Sequence, residues 1–240
     1  MASKSFQYNQ NTYNISYEII NPSAKYDLIV LHGWGSNKEI MKNAFSPFLD
    51  SFRHIYIDLP GFGGSVNHAV LDTKNYAEII EMFLELIGSK HEIIMGHSFG
   101  GKIATLLNPK LLVLLSSAGI KVEKPLDVQM KIKMTKIGNA FGLKKIGKLF
   151  RAKDADNLTP VMYETFKNVV DEDFSEIFSS FTSKALICWG EDDKATPLHA
   201  GEQMHKLIKG SHFTVYQGDH FFFANRAKAI AQEIEQEYLK

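Results

Sequence analysis

A serine placed between glycines is the feature of this 240-residue sequence with the clearest chemical use. Gly96-His97-Ser98-Phe99-Gly100 follows the predicted strand 92–95 and precedes a short helix-like segment. Glycines two residues before and two after the serine let a very tight turn pass its neighbours without a Cβ collision. Such a turn raises the hydroxyl above the sheet edge, and the amides of the next helix face any developing negative charge. Ser98 is therefore the candidate nucleophile.

A serine hydroxyl attacks a carbonyl efficiently only when a base takes its proton. In a strand–serine–helix site, that base is a histidine held by a carboxylate, in the chain order Ser, acid, His. His220 lies just after the last predicted strand, where parallel sheets build their sites, and is the candidate base. His32 and His97 flank glycine turns and are expected to fix loops by hydrogen bonding. The remaining histidines are expected at the surface or at the wrong end of the sheet: His54, His68, His91, His199, His205 and His212.

The carboxylate that orients the histidine is expected where the preceding strand, 185–189, ends. That strand runs into Gly190-Glu191-Asp192-Asp193-Lys194-Ala195-Thr196-Pro197, so three neighbouring acids compete for the role. Asp219, adjacent to His220, is expected to be a turn residue. The residue types alone leave the choice among the three acids open.

The elements that would position these side chains follow an alternating strand–helix pattern. Apolar and polar residues alternate from Tyr13 to Ile19, which predicts a half-buried strand at an antiparallel edge. Later strands are continuous apolar runs, typical of strands covered on both faces: 28–31, 54–59, 92–95, 111–115, 185–189 and 213–216. Helices are predicted over 73–87, after Ser98, and over 198–209 and 225–239. The pattern predicts an α/β fold with a mainly parallel twisted sheet and helices on both faces.

Residues 120–183 interrupt this pattern. They contain helix-like segments but no convincing buried strand, which predicts a helical cap inserted into a core formed by 1–119 and 184–240. From Lys121 to Lys153 there are ten Lys or Arg residues and two acids, whereas from Asp154 to Glu176 there are seven acids and one base. The basic run is either a solvated helix face or a docking surface for an acidic partner.

Composition narrows the classes of protein that the chain can belong to. Lys plus Arg and Asp plus Glu number 27 each, so the formal net charge of zero provides no general attraction to nucleic acid. A single cysteine, Cys188, excludes an internal disulfide and fits a reducing compartment. No window approaches the ~18 apolar residues of a membrane span, and the first residues lack the apolar run of a signal peptide. We expect a cytoplasmic protein.

Four motifs, taken together and in order, resemble the α/β-hydrolase family: His32-Gly33-Trp34-Gly35, Asp58-Leu59-Pro60-Gly61-Phe62-Gly63-Gly64-Ser65, the Ser98 turn, and Gly-x-x-Asp before the terminal histidine. In that family the Gly-x-x-Asp pattern with a trailing proline marks the acid, which implies Asp193 followed by Pro197. The His-Gly loop implies the Trp34 amide as one oxyanion donor, and the amide of Phe99 is the other. The run 58–65 lacks the Lys-Ser/Thr ending of a phosphate-binding loop and is interpreted as structural.

The resemblance implies hydrolysis of a carboxylic ester or thioester through an acyl-enzyme on Ser98, with His220 as base and Asp193 as orienting acid. A small-molecule acyl substrate and no cofactor or metal are expected, since no zinc-like His or Cys spacing is present. The chain also resembles esterases of the pimeloyl carrier-protein type, in which a basic cap meets an acidic acyl carrier protein.

Two alternatives remain. Hydrolases of C–C bonds in ring-cleavage diketones share this fold, and Ser116–Ile120 resembles their corresponding segment, although that group often has Asn at the position of His97. A catalytically silent ligand-binding protein on the same fold is the other alternative. The candidate residues for substrate contact, each equally able to be plain core, are Trp34, Phe150, Met162, Phe166, Phe178 and Phe222.

Overall fold

The computed structural model describes residues 2–122 and 158–239. These residues contain one eight-stranded sheet of order β1-β2-β4-β3-β5-β6-β7-β8. The strands are β1 (Ala2–Tyr8), β2 (Asn11–Ile20), β3 (Tyr26–Leu31), β4 (Phe52–Ile57), β5 (Ile93–His97), β6 (Leu111–Leu115), β7 (Lys184–Gly190) and β8 (His212–Tyr216). The β1–β2 and β2–β4 pairs are antiparallel and every other pair is parallel, which confirms the predicted mainly parallel sheet.

Helices cover both faces of the sheet. Those in the described part of the chain are α1 (Lys38–Phe45), α2 (Thr73–Leu86), α3 (Phe99–Leu106), α4 (Pro160–Val169), α5 (Ser175–Ser180), α6 (Leu198–Leu207) and α7 (Phe223–Leu239). Successive residues of the central strands alternate between two cores. Leu28 and Val30 join a cluster with α1 and α7, whereas Ile29 and Leu31 join one with α2, α3 and α6. Burial on both faces is why these strands are continuous apolar runs.

The structure departs from the sequence expectations at the first strand and at one histidine. The edge strand is β1, which was not predicted because its residues are largely exposed and polar, so the alternating strand β2 is second in the sheet. Helix α1 was also not predicted. His54 was expected at the surface, and this was wrong: it is fully buried within β4, where its ring hydrogen-bonds Tyr56 Oη (2.8 Å) and Leu49 O (2.9 Å).

Two helices, α4 and α5, lie within the predicted cap segment, and the described part of that segment contains no strand. α4 is capped by Thr159, whose hydroxyl accepts a hydrogen bond from the Met162 amide, and it begins at Pro160. It packs over the loop before α2, since Thr165 Oγ1 accepts from Leu71 N at 3.1 Å. Phe150 and nearly all of the basic run Lys121–Lys153 lie outside the described residues, and the division into core and cap stays a prediction.

A buried lysine on α3 ties the end of α4 to the core. Lys102 Nζ donates to Glu172 Oε2 at 2.8 Å and to the Val169 carbonyl at 2.5 Å. The Thr73 hydroxyl, at the start of α2, donates to the same Glu172 oxygen. Burial lowers the pKa of Lys102, and the Glu172 carboxylate opposes this shift. One buried cation therefore links the end of α4 to α2 and α3.

The loop after β4 is held by a second buried ion pair. Asp58 Oδ2 lies 2.7 Å from Lys38 Nζ, and the two side chains are 1% and 3% exposed. The Asp58 carboxylate also accepts from the amides of Lys38 and Gly64, both at 2.8 Å. Burial alone would raise the pKa of Asp58, but these amides and the ammonium hold it below its ordinary value. The contacts join the start of α1 to the run 58–65 and fit the structural role predicted for that run.

Replacing Asp58 by Ala is expected to lower the free energy of unfolding by about 3–5 kcal/mol at pH 7, because Lys38 loses its buried counter-charge. Urea denaturation followed by circular dichroism measures this loss. Glu164→Ala is the control, because its ion pair with Lys167 is half exposed and is worth about 0–1 kcal/mol. Since the pKa of Asp58 is depressed, its contribution is present above the unfolded-state pKa and disappears as the pH falls through the folded-state value. Equal losses in both variants would contradict the prediction.

Candidate active site

Ser98 occupies the turn between β5 and α3 in a strained conformation. Its φ is 50° and its ψ is −115°, a region that residues with a Cβ rarely adopt. Its hydroxyl makes no capping hydrogen bond to α3. A Cβ on Gly96 would lie 2.4 Å from the Gly100 carbonyl oxygen, and one on Gly100 would lie 2.6 Å from the carbonyl oxygens of Leu31 and His32. The two glycines are therefore needed because backbone passes directly against backbone at this turn.

The loop after β3 passes beside this serine. A Cβ on Gly33 would lie 3.1 Å from the Cβ of Ser98, and Trp34 follows Gly33 directly. His32 secures the loop: its Nδ1 donates to Gly33 O at 2.7 Å, and its Nε2 accepts from Leu59 N at 3.1 Å. Burial lowers the pKa of His32 to about 4, so the ring stays neutral at physiological pH. The loop-fixing role predicted for His32 is confirmed.

The amide of Phe99 is the first of α3 and belongs to the four amides that a helix start leaves without an intrahelical acceptor. The turn itself is held from β6 and the loop after it, because Ser98 N donates to Leu115 O at 3.1 Å and Ala118 N donates to Ser98 O at 3.0 Å. The predicted oxyanion donors, the amides of Trp34 and Phe99, thus belong to two separate backbone segments, the loop after β3 and the first turn of α3.

His220 and Asp193 lie in the loops after two adjacent strands, β8 and β7. His220 Nδ1 donates to Asp193 Oδ2 at 2.7 Å, and the side chains are 16% and 0% exposed. Asp193 Oδ1 accepts from the amides of Ala195 (2.8 Å) and Thr196 (2.9 Å), and the Thr196 hydroxyl donates to Oδ2 at 2.8 Å. Burial alone would raise the pKa of Asp193, but these bonds and His220 lower it to about 2. Because the carboxylate accepts from Nδ1, the other ring nitrogen of His220 is left as a proton acceptor.

Of the three acids that compete in the sequence, only Asp193 meets the histidine among the described contacts. Glu191 and Asp192 are exposed. Asp219 is exposed as well, and its Oδ1 accepts from the Phe221 amide at 2.9 Å, as expected of a turn residue. Thr196 was not predicted at all. A hydroxyl three residues after the acid and directly before a proline was the available signal.

Aromatic rings form one wall next to the turn. The Trp34 ring contacts those of Phe62, Phe99 and Phe166, with centroid distances of 4.9, 5.6 and 5.3 Å. Phe166 comes from α4 and is partly exposed, so it extends this wall from the predicted cap.

The other predicted contact residues are placed differently. Met162 is 5% exposed and packs against Gly61, and Phe178 is fully buried beside Phe174. Phe222 is 2% exposed and stacks on Tyr216 in the cluster with α1 and α7, on the other side of the sheet from the Trp34 wall. Packing accounts for the burial of Phe222, and this placement does not support its expected contact with substrate. Phe150 lies outside the described residues.

Within residues 2–122 and 158–239, no cluster of three or more His, Cys, Asp or Glu side chains is arranged to hold a metal ion. No helix of the same residues combines the length and the apolar character needed to cross a membrane.

Known proteins resemble this chain along most of its length. The model of the alpha/beta hydrolase family matches residues 28–233. The uncharacterized hydrolase YugF of Bacillus subtilis is 25% identical, over 92% of this chain and 93% of its own length. A pimeloyl-[acyl-carrier protein] methyl ester esterase of Vibrio campbellii is 23% identical, over 88% and 93%. An esterase structure from Exiguobacterium antarcticum superposes with a TM-score of 0.74 at 22% identity, over 95% of this chain and 96% of that one, which shows the predicted fold.

Gly100→Ala is expected to reduce the free energy of unfolding by about 3 kcal/mol, because the new methyl group would meet two backbone oxygens that cannot move independently. Gly210→Ala provides the control. Gly210 has a φ of 78° with no atom within 4 Å of the added Cβ, so only backbone strain of about 1 kcal/mol is expected there. Chemical denaturation of both variants tests the difference, and a smaller loss in Gly100→Ala than in Gly210→Ala would refute the close approach.

Proposed function

Because the chain belongs to the alpha/beta hydrolase family, we propose that it hydrolyses a carboxylic ester or thioester through an acyl-enzyme on Ser98. The observation that carries this proposal is the 2.7 Å hydrogen bond between His220 Nδ1 and the buried Asp193 carboxylate. A histidine held in this way, next to a strained serine turn, is the arrangement that activates a serine hydroxyl.

In the proposed reaction, the free ring nitrogen of His220 takes the Ser98 proton as Oγ attacks the carbonyl carbon. The amides of Trp34 and Phe99 stabilise the negative charge that develops on the carbonyl oxygen. His220 then gives its proton to the leaving alcohol or thiol, and a water molecule repeats the sequence on the acyl-enzyme. Since the pKa of Asp193 is about 2, its carboxylate stays ionised and stabilises the imidazolium in both half-reactions.

The aromatic wall supports an acyl substrate with an apolar chain. Trp34, Phe99 and Phe166 place three rings in contact beside the nucleophile turn. Phe62 adds a fourth ring against Trp34. Such a surface favours hydrocarbon over charged groups, because burying apolar area contributes roughly 25 cal/mol per Å².

A substrate carried on an acidic acyl carrier protein is the narrower form of the proposal. The Vibrio campbellii relative, a pimeloyl-[acyl-carrier protein] methyl ester esterase, supports an ester as the scissile group. The basic run Lys121–Lys153 is the sequence feature that suggests an acidic partner, and it lies almost entirely outside the described residues.

Wild-type protein is expected to hydrolyse p-nitrophenyl acyl esters, and Ser98→Ala is expected to reduce kcat by roughly 10⁴-fold or more, because alanine has no hydroxyl that could form the acyl-enzyme. Release of p-nitrophenolate across acyl chain lengths measures this and sizes the pocket. Ser179→Ala, on the exposed side of α5, is the control and should leave kcat unchanged.

If wild type and Ser98→Ala are equally inactive on every ester, ester hydrolysis is excluded for these substrates. Loss of the visible absorbance of a ring-cleavage diketone would then identify a C–C hydrolase. Tight ligand binding without labelling of Ser98 by a fluorophosphonate would identify a silent binding protein.

Asp193→Asn is expected to lower kcat by roughly 10³–10⁴-fold with little change in KM, because an amide cannot hold the correct tautomer of His220 or stabilise its charged form. Asp192→Asn is the matched control, since the neighbouring carboxylate is exposed. Steady-state kinetics on one p-nitrophenyl ester compare the two. A comparable loss of kcat in Asp192→Asn would show that Asp193 is wrongly assigned as the orienting acid.

A further inference from the structure

His97 is a buried titratable residue that the proposed reaction does not use. It is the last residue of β5, directly before Ser98, and it is 1% exposed. The sequence interpretation expected it only to fix a loop. Because His97 directly precedes Ser98, the loop that it holds indicates which part of the site it can influence.

The loop that His97 holds carries the proposed base. His97 Nε2 lies 2.9 Å from the main-chain carbonyl oxygen of His220, across 123 positions of sequence. A carbonyl oxygen only accepts hydrogen bonds, so Nε2 carries the proton and donates it. The ring of His97 also packs against that of His220, with a centroid distance of 4.6 Å. His97 is therefore in contact with both the main chain and the ring of His220.

The surroundings of His97 leave its ring little freedom to move. The rings of Phe221 and Phe223 lie 5.2 and 4.8 Å from it, and its Nδ1 lies 3.0 Å from the position that a Cβ on Gly33 would take. Gly190 also lies so close to the His220 loop that an added Cβ would be 2.3 Å from Asp219 O. His97 and Gly190 thus both pack closely against this loop.

The charge state of His97 suits a fixed donor. Burial, and next the neighbouring His220, lower the pKa of His97 to about 3. The other titratable groups that act on it are Asp193 and His32. His97 therefore stays neutral while His220 gains and loses a proton. It contributes a hydrogen bond without adding a positive charge beside the imidazolium.

We propose that His97 is a positioning residue that acts through His220: its Nε2–H fixes the His220 carbonyl and so keeps the His220 ring aligned between Asp193 and Ser98. This inference rests on the proposed function, since it assigns His220 as the base. The groups that face the His220 ring are Asp193, the Thr196 hydroxyl (3.3 Å from Nδ1), His97 and Phe221.

The test is a matched pair of substitutions that differ by one methylene group. In His97→Gln the side-chain amide reaches about as far as Nε2 and can still donate to the His220 carbonyl, whereas in His97→Asn it reaches only as far as Nδ1. We expect kcat on a p-nitrophenyl ester to fall by roughly 100-fold in His97→Asn and to stay within about fivefold of wild type in His97→Gln, with KM little changed in both.

The pH profile separates positioning from general damage. If the His220 ring loses its alignment with Asp193, its imidazolium is less stabilised, and the acidic limb of kcat/KM moves to lower pH in His97→Asn. The same limb stays in place in His97→Gln. Histidine resonances in NMR titrations report the protonation of His220 without any substrate, and thermal unfolding reports whether each variant is folded.

Equal losses in the two variants, or a loss in His97→Asn with an unchanged titration of His220, would overturn the proposal. If His97→Asn does not fold, His97→Leu replaces it as the variant without a donor, with the same readouts. If wild type hydrolyses no ester and Ser98 does not react with a fluorophosphonate, the proposed function fails, and the NMR titration of His220 still decides the positioning role. His199→Asn, on the exposed surface of α6, is the control that should move neither readout.

Discussion

The crowding of backbone around residue 98 is the constraint on which the rest of the site depends. Three segments meet there without room for a Cβ: the end of β5, the start of α3 and the loop after β3. Their contact holds Ser98 at a φ of 50° and brings Gly33, in the loop after β3, close to the Cβ of Ser98. Strain of this kind persists only when the surrounding structure overdetermines it. The parallel pairing of β5 with β3 and β6 supplies that support.

The loops that surround this turn are fixed mainly by polar groups buried in the fold. Asp58 and Lys38 anchor the loop after β4 to α1, and the neutral ring of His32 joins that loop to the one after β3. Lys102 and Glu172 do the same for the end of α4. Each of these groups makes at least one of its hydrogen bonds to a partner twenty or more residues away in the chain. Such contacts contribute to specificity of arrangement, because a small displacement would leave a buried charge unpaired.

Asp193 and His220, the proposed orienting acid and base, differ in their exposure, and this difference suits their roles. Asp193 is fully buried and receives hydrogen bonds from two amides, a hydroxyl and His220, so its charge is permanent. His220 is partly exposed, as a base that must reach a substrate would have to be. The aromatic wall includes Phe166 of α4 and so extends from the serine turn into the predicted cap segment.

The sequence by itself determined the features that depend on neighbouring residues. Continuous apolar runs predicted six of the eight described strands, and period-2 alternation predicted β2. Both were predictable because burial of one or both faces of a strand sets which of its consecutive residues are apolar. The serine turn was predictable for the same reason, since its glycines lie two positions away. Asp58–Ser65 was also correctly interpreted as structural from its motif alone, and the ion pair to Lys38 now explains its role.

Only the tertiary structure decided features that join distant residues or concern polar side chains in the interior. It bonds the Asp193 carboxylate to His220, a choice that the family motif implied but that the residue types alone left open among three acids. It pairs β1 with β2 although most residues of β1 are polar, as is typical of a surface segment. It also buries His54, a polar residue type that is more often expected at the surface. It also joins His97 to the carbonyl of His220 and places Phe222 in the core. Apolar periodicity records which face of an element is buried, whereas the partner of a buried polar group is set by the packing of elements that are far apart in the chain.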